Sequence, residues 1–192
     1  MSISKITLRT ALFAAVATAG FAAIPVQAKM MSSNTVMVGG AAMYPTKNII
    51  ENAVNSKDHT TLVAAVKAAG LVETLSGPGP FTVFAPTNAA FGKLPAGTVE
   101  TLVKPENKAT LTTILTYHVV AGKMNAKDIA AAIKAGNGKA VLTTVQGGTL
   151  TASMMGKKLM LTDAKGGMSM VTIGDVNQSN GVIHVVDTVL MP

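Results

Sequence analysis

Apolar residues follow two rhythms along this chain, and the change between them sets the expected architecture. From residue 44 to about 135 the spacing is helical. Asn48, Ile49, Ile50 and Val54 give a short apolar face after Tyr44-Pro45-Thr46, with Thr46 placed to cap it. Leu62, Val63, Val66 and Ala69 recur one helical turn apart, Asp58 stands at the N-cap position and Gly70 supplies the stop. Residues 81–85 break this rhythm as a compact strand whose pairing Pro86 should end. Thr87 or Asn88 then caps a short helix carrying Ala89, Ala90 and Phe91. Residues 98–103 give a helical turn or two. Pro105 suits a first helical position, and Leu111, Ile114 and Leu115 mark the buried face of a helix that runs out at the strand-like Tyr117-His118-Val119-Val120. Residues 126–135 form a last helix, stopped by Gly136-Asn137-Gly138.

Beyond that point the period falls to that of strands. Residues 141–145 and 149–153 flank Gly147-Gly148, a hairpin signal. Residues 158–162 and 168–176 flank the Lys165-Gly166-Gly167 loop. Asn180-Gly181 leads into 182–190, which is apolar on both faces and therefore expected to be central and buried. Helices first and a meander of strands afterwards predict an α+β domain with a mostly antiparallel sheet.

The first residues have another character. Lys5 and Arg9 precede an apolar run of small residues, then Pro25 and the small-residue pattern Val26-Gln27-Ala28. This is the anatomy of a secretory signal peptide, with cleavage near Ala28 and export to the periplasm or medium. The run is shorter than the ~20 residues a membrane span needs, so no stable membrane insertion is expected. The expected division is residues 1–28 as signal, 29–43 as a flexible lead-in and 44–192 as a single domain.

Composition narrows the chemistry. The chain has no Cys, which excludes disulfides, thiolate metal sites and cysteine nucleophiles. Without Lys5 and Arg9 it keeps 14 basic against 9 acidic residues and no arginine. Arginine is the residue nucleic-acid recognition prefers, so nucleic acid is not the expected partner. The scattered lysines fit solubility or attraction to an anionic surface. Phosphate-loop and H-E-x-x-H motifs are absent, and Gly167-Met168-Ser169-Met170-Val171 lacks the closing glycine of a nucleophile elbow. His59, His118 and His184 lie far apart in sequence. Methionine is unusual: Met154, Met155, Met160, Met168 and Met170 crowd one stretch, and Met30, Met31, Met37 and Met43 another. Thioethers either fill irregular cores or serve as soft ligands for Cu(I).

Three ordered blocks carry a family resemblance. Residues 81–91 read Phe-Thr-Val-Phe-Ala-Pro-Thr-Asn-Ala-Ala-Phe, Tyr117-His118 follows an apolar helix, and residues 180–192 begin Asn-Gly-Val-Ile-His-Val-Val-Asp. Together they resemble a fasciclin domain over residues 44–192. The resemblance implies a mostly antiparallel two-sheet β wedge flanked by several, mainly N-terminal, helices. It further implies an extracellular, non-enzymatic role in adhesion or in matrix and biofilm association, without a cofactor or metal.

Within those blocks, Phe84, Pro86, Thr87, Phe91, Asn180, Gly181, His184 and Asp187 are expected to specify the fold. Tyr117 and His118 are the candidate contacts for a partner; the alternative is structural, with the tyrosine hydrogen-bonding inside and the histidine stabilising the helix end or neighbouring loops. That partner would be a cell-surface or matrix protein or an anionic polysaccharide. His184 and Asp187 fall on opposite faces of one strand, which argues against a same-face dyad. The alternative reading is a periplasmic ligand or Cu(I) binder using the Met-rich 154–170 hairpin.

Overall fold

The structure, a computed structural model, describes residues 35–192. The signal segment 1–28 lies outside the described residues.

The helical half opens with a β-hairpin rather than a flexible lead-in. Strands β1 (Val36–Val38) and β2 (Ala41–Met43) pair antiparallel. Gly39 and Gly40 turn the chain at positive φ, and Val38 and Met43 are buried. Within the expected flexible stretch 29–43, residues 36–43 are therefore corrected, because alternate apolar residues give this piece something to bury; residues 29–34 lie outside the described residues.

Helix α1 (Ile49–Ala53) is capped by Asn48, not Thr46: the Asn48 side chain accepts from Glu51 N–H, and Glu51 reaches back to Asn48 N–H. Asp58 lies inside a 3-10 turn, Lys57–His59, rather than capping α2 (Thr60–Ala69). Gly70 closes α2 in the left-handed conformation, as read. Helices α3 (Val72–Ser76), α4 (Asn88–Gly92), α5 (Thr98–Leu102) and α6 (Lys108–Tyr117) complete this half. Strand β3 (Phe81–Pro86) runs between α3 and α4.

The second half is the strand meander. Strand β4 (Val119–Ala121) leads to helix α7 (Ala126–Ala135). Then come β5 (Lys139–Thr143), β6 (Thr149–Met155), β7 (Lys158–Thr162), β8 (Met168–Gln178) and β9 (Gly181–Val186). The sheet order is β4-β3-β9-β8-β7-β6-β5. A bridge from Val120 to Thr144 and a bond from Val145 N–H to the Val119 carbonyl bring its two ends together. Register shifts between Val171 and Val176 bend the long strand β8. Its first part pairs with β7 and its second with β9, so it belongs to both arms of the wedge.

One pairing was not expected. β3 and β9 are parallel, from Phe81 opposite Gly181 to Pro86 opposite Val186. Every residue of β9 is buried, as its double-faced apolar pattern requires. Pro86 also remains paired, so it does not end the ladder before its own position.

Strands β3 and β9 divide the interior. Val83, Ala85, Ile183 and Val185 face the helices, joining Leu62, Val66, Leu111 and Leu115. Phe84 and Val186 face the other way, joining Ile129, Leu150, Leu161 and Leu190 inside the wedge. Burying a leucine side chain fully contributes about 2 kcal/mol, and Leu150, Leu161 and Leu190 are fully enclosed.

Candidate functional site

Helix α6 spends most of its length burying Leu111, Ile114 and Leu115 against the helical core. Its last residue, Tyr117, turns into the other core. His118 is the C-cap and joins the helix to β4. The two adjacent side chains thus enter different interiors, and both are enclosed: Tyr117 is 1% exposed and His118 2%. Neither presents a surface to a partner. The expectation that they touch one directly is corrected, because the helix ends where both cores meet.

Their polar atoms instead hold loops. Tyr117 Oη donates to the Thr149 carbonyl at 2.7 Å and accepts from Ala164 N–H at 3.1 Å. Burial pushes the phenol pKa up; the bond from Ala164 opposes this and the charge of Asp163 adds to it. The ring packs so closely on Gly148 that a Cβ there would lie 2.8 Å from it. His118 Nδ1 lies 2.8 Å from the Ile114 carbonyl, and Nε2 accepts from Leu190 N–H at 3.0 Å. A carbonyl needs a donor and an amide needs an acceptor, so the ring is neutral with its proton on Nδ1. Burial lowers its pKa, while the Ile114 carbonyl and the charge of Asp163 pull the other way.

Asp163 completes this corner. Its Oδ1 accepts from Lys165 and Gly167 N–H, folding the β7–β8 loop, and its Oδ2 accepts from Met191 N–H at 3.0 Å. The corner therefore fixes three surface segments: the β5–β6 turn, the β7–β8 loop and the chain end. Along the outer side of α6 the β7–β8 loop and the chain end border an open groove of about 370 Å³, lined by Ala109, Thr110, Thr113, Ile114, Lys165, Met191 and Pro192. Sequence reasoning found Tyr117 and His118 but missed Asp163, although Asp-Ala-Lys-Gly-Gly is a turn signature.

The signature residues organise the rest. Phe84 is fully buried and stacks on His184, with ring centroids 5.7 Å apart. Thr87 caps α4 by accepting from Ala90 N–H, and Phe91 packs into the helical core. Asn88 serves the neighbouring helix: its Oδ1 accepts from Thr61 N–H at the start of α2, and its Nδ2 donates to the Lys57 carbonyl. Asn180 makes three bonds, accepting from Ile49 N–H and donating to the Leu75 and Gly77 carbonyls. Gly181 admits the β3 backbone, since a Cβ there would sit 2.1 Å from the Phe81 carbonyl oxygen. His184 Nε2 lies 2.9 Å from the Met124 carbonyl and its Nδ1 accepts from Asp175 N–H.

Asp187 accepts from Met170 N–H and Thr188 Oγ1–H, and faces Lys93 at 3.6 Å. Burial alone would raise its carboxyl, but those hydrogen bonds and Lys93 outweigh it and hold the pKa below the usual value.

The three histidines do not assemble a site. His59 and His118 border one apolar cavity of about 40 Å³, and His184 lies against Phe84. Ser56 Oγ stands 2.8 Å from His59 Nδ1. However, His59 Nε2 has no hydrogen-bond partner, although the nearby Ala85 backbone favours a proton on the ring, and both residues are buried. The pair lacks both an orienting carboxylate and a path to substrate. Among the described residues no group of three His, Asp or Glu is placed to hold a metal ion.

The comparisons with known proteins agree with this frame. A family model described as "Fasciclin domain" matches residues 57–192. "Protein sll1483" of Synechocystis is 47% identical over 161 residues, covering 84% of this chain and 82% of that protein. "Immunogenic protein MPB70" of Mycobacterium bovis is 35% identical over 208 residues, covering 98% and 97%. "Cell surface glycolipoprotein MPB83" of the same species is 35% identical over 170 residues, covering 86% and 70%. A solved FAS1 domain pair from the insect cell adhesion molecule Fasciclin I superposes with a TM-score of 0.68 at 18% identity. The superposition covers 78% of this chain and 52% of that domain pair.

Proposed function

This chain belongs to the fasciclin family, and on that premise we propose that it is an exported, non-enzymatic binding domain for cell adhesion or for matrix and biofilm association. The observation that carries the reading is the groove beside α6: Asp163 holds its wall residues Lys165 and Met191, and Tyr117 and His118 hold their neighbours Ala164 and Leu190. A buried tyrosine–histidine pair that fixes loops gives a rigid surface, and rigidity lowers the ordering cost of binding. The family's tyrosine–histidine region therefore positions the contact surface and does not itself touch the partner.

The relatives support the outward location. One is named a cell surface glycolipoprotein, and the solved domain pair comes from a cell adhesion molecule. The signal-like residues 1–28 point the same way. Lys165 in the groove and the lysine excess of the chain favour an anionic partner, either surface polysaccharide or an acidic surface protein.

The test is binding of purified chain to washed host cells and extracted surface polysaccharide, at low and physiological salt. The expected result is saturable binding that survives physiological salt and weakens in Lys165→Glu. Binding that vanishes with salt reduces the interaction to net charge, and turnover of generic ester, glycoside or peptide substrates contradicts the non-enzymatic reading.

A further inference from the structure

The two methionine-rich stretches part company in the fold. In the first, the register places Met37 opposite Ala42 and Met43 opposite Val36, so their side chains leave the hairpin on opposite faces. Met43 is core and Met37 is exposed. Met30 and Met31 lie outside the described residues.

The second stretch converges. It is a three-strand meander, β6–β7–β8, rather than one hairpin. Leu159, Leu161, Ser169 and Val171 point inward and are buried. The alternate positions Met160, Met168 and Met170 therefore share the outer face. Met160 pairs directly with Met170, and Thr162 pairs with Met168, which makes Met168 the diagonal neighbour of Met160. Such Cβ separations are about 5 Å for a direct pair and about 7–8 Å for a diagonal one. The thioether sulfur stands beyond Cβ on a flexible, unbranched chain, so three sulfurs can meet at one point above the Met160–Met170 pair. Met155 pairs with Lys158, two strands and four residues along from Met168, so it lies about 16 Å from Met168 and outside the set. Met154 belongs to the opposite parity and takes no part.

Core filling does not explain this face, because Met168 is 58% exposed and Met160 and Met170 are only half-buried. We propose that Met160, Met168 and Met170 form a binding site for Cu(I). Thioethers are soft, uncharged donors that select Cu(I) over divalent oxygen- and nitrogen-seeking ions. They need no deprotonation, so occupancy does not follow pH as thiolate or imidazole sites do. Nearby charge argues for softness rather than Coulomb attraction as the source of affinity. Lys139 stands opposite Ser153, Lys158 opposite Met155, and Lys93 beside Asp187, while the Asp187 carboxylate alone offsets them, bonded to Met170 N–H at 2.9 Å. Cations that lack a preference for sulfur are repelled there.

The test uses the whole purified chain labelled with methyl-13C methionine. Ag(I), an air-stable soft monovalent probe, is titrated in chloride-free buffer, and Cu(I) affinity is measured anaerobically by competition with bicinchoninate. The expected result is that one equivalent of Ag(I) moves the methyl signals of Met160, Met168 and Met170 while those of Met43 and Met37 stay in place. Cu(I) binds with a dissociation constant below about 1 µM, and the double variant Met160→Leu/Met170→Leu loses at least about tenfold in affinity. Leucine conserves volume, so that variant keeps the parent unfolding temperature. No methyl shift at one equivalent, equal shifts at Met37, or unchanged affinity in the double variant would each overturn the proposal. So would Zn(II) binding more tightly than Cu(I).

Discussion

His118 Nε2 accepts the backbone N–H of Leu190 at 3.0 Å, joining residues 72 positions apart. This bond fastens the last buried turn of the chain to the end of α6, and it makes the histidine a strut. Substituting His118→Ala leaves a buried amide without an acceptor and a cavity where the ring stood. The expected loss is about 2–4 kcal/mol of unfolding free energy, read from urea denaturation. Unchanged stability together with lost attachment would restore a direct binding role for the ring.

The histidines also set the response to acid. His59, His118 and His184 all have pKa values lowered, first by burial. Below pH about 6.5 the unfolded chain takes up protons that the folded chain refuses, so stability falls as pH drops; above that value it is flat. The limiting slope is about 1.4 kcal/mol per pH unit for each histidine. Asp187, held below its usual pKa, adds a further loss as pH falls through the carboxylate range. Urea midpoints measured from about pH 8 to about pH 3 should be level above about pH 6.5 and then decline. A rise in stability just below pH 6.5 would mean that charged histidines are part of the fold.

Asn180 ties the β8–β9 turn to α1 and α3 through three bonds. Asn180→Ala should cost about 2–4 kcal/mol. Asn180→Asp keeps an acceptor for Ile49 N–H but loses both donors, so it recovers only part of that. Hydrogen exchange should show the extra opening first in α1 and α3. Uniform acceleration across the sheet would place the main effect elsewhere.

Gly181 lies where β3 and β9 run side by side, and its Cβ would strike the Phe81 carbonyl. Gly181→Ala is expected to cost about 4 kcal/mol or more and to give largely insoluble protein. Soluble protein with a parent-like melting temperature would mean that the strands part without penalty.

Much of this frame was readable from residue pattern alone. Gly70, Thr87 and the face of Leu111, Ile114 and Leu115 act locally, so the sequence around each one states its role. The parallel β3–β9 pair was not readable, because Phe81 and Gly181 meet across the whole intervening domain and no nearby residue records it. Of the two cap candidates for α4, Thr87 serves, while the Asn88 amide bonds the start of α2, a partner the local sequence does not record. At the candidate site, Tyr117 and His118 stood out by type and position, while their burial depended on where two cores meet. Asp163 was hidden for the same reason: its turn is local, but its bond to Met191 is not.

The central claim is that the surface beside α6 makes the contact and the buried pair holds it in shape. The direct test compares Thr113→Arg, which obstructs the groove from a half-buried position whose side chain bonds only the Ala109 carbonyl of its own helix, with the parent chain for both cell attachment and melting temperature. The account predicts attachment at least about tenfold weaker with the melting temperature unchanged. Full attachment by a stably folded Thr113→Arg chain would contradict it.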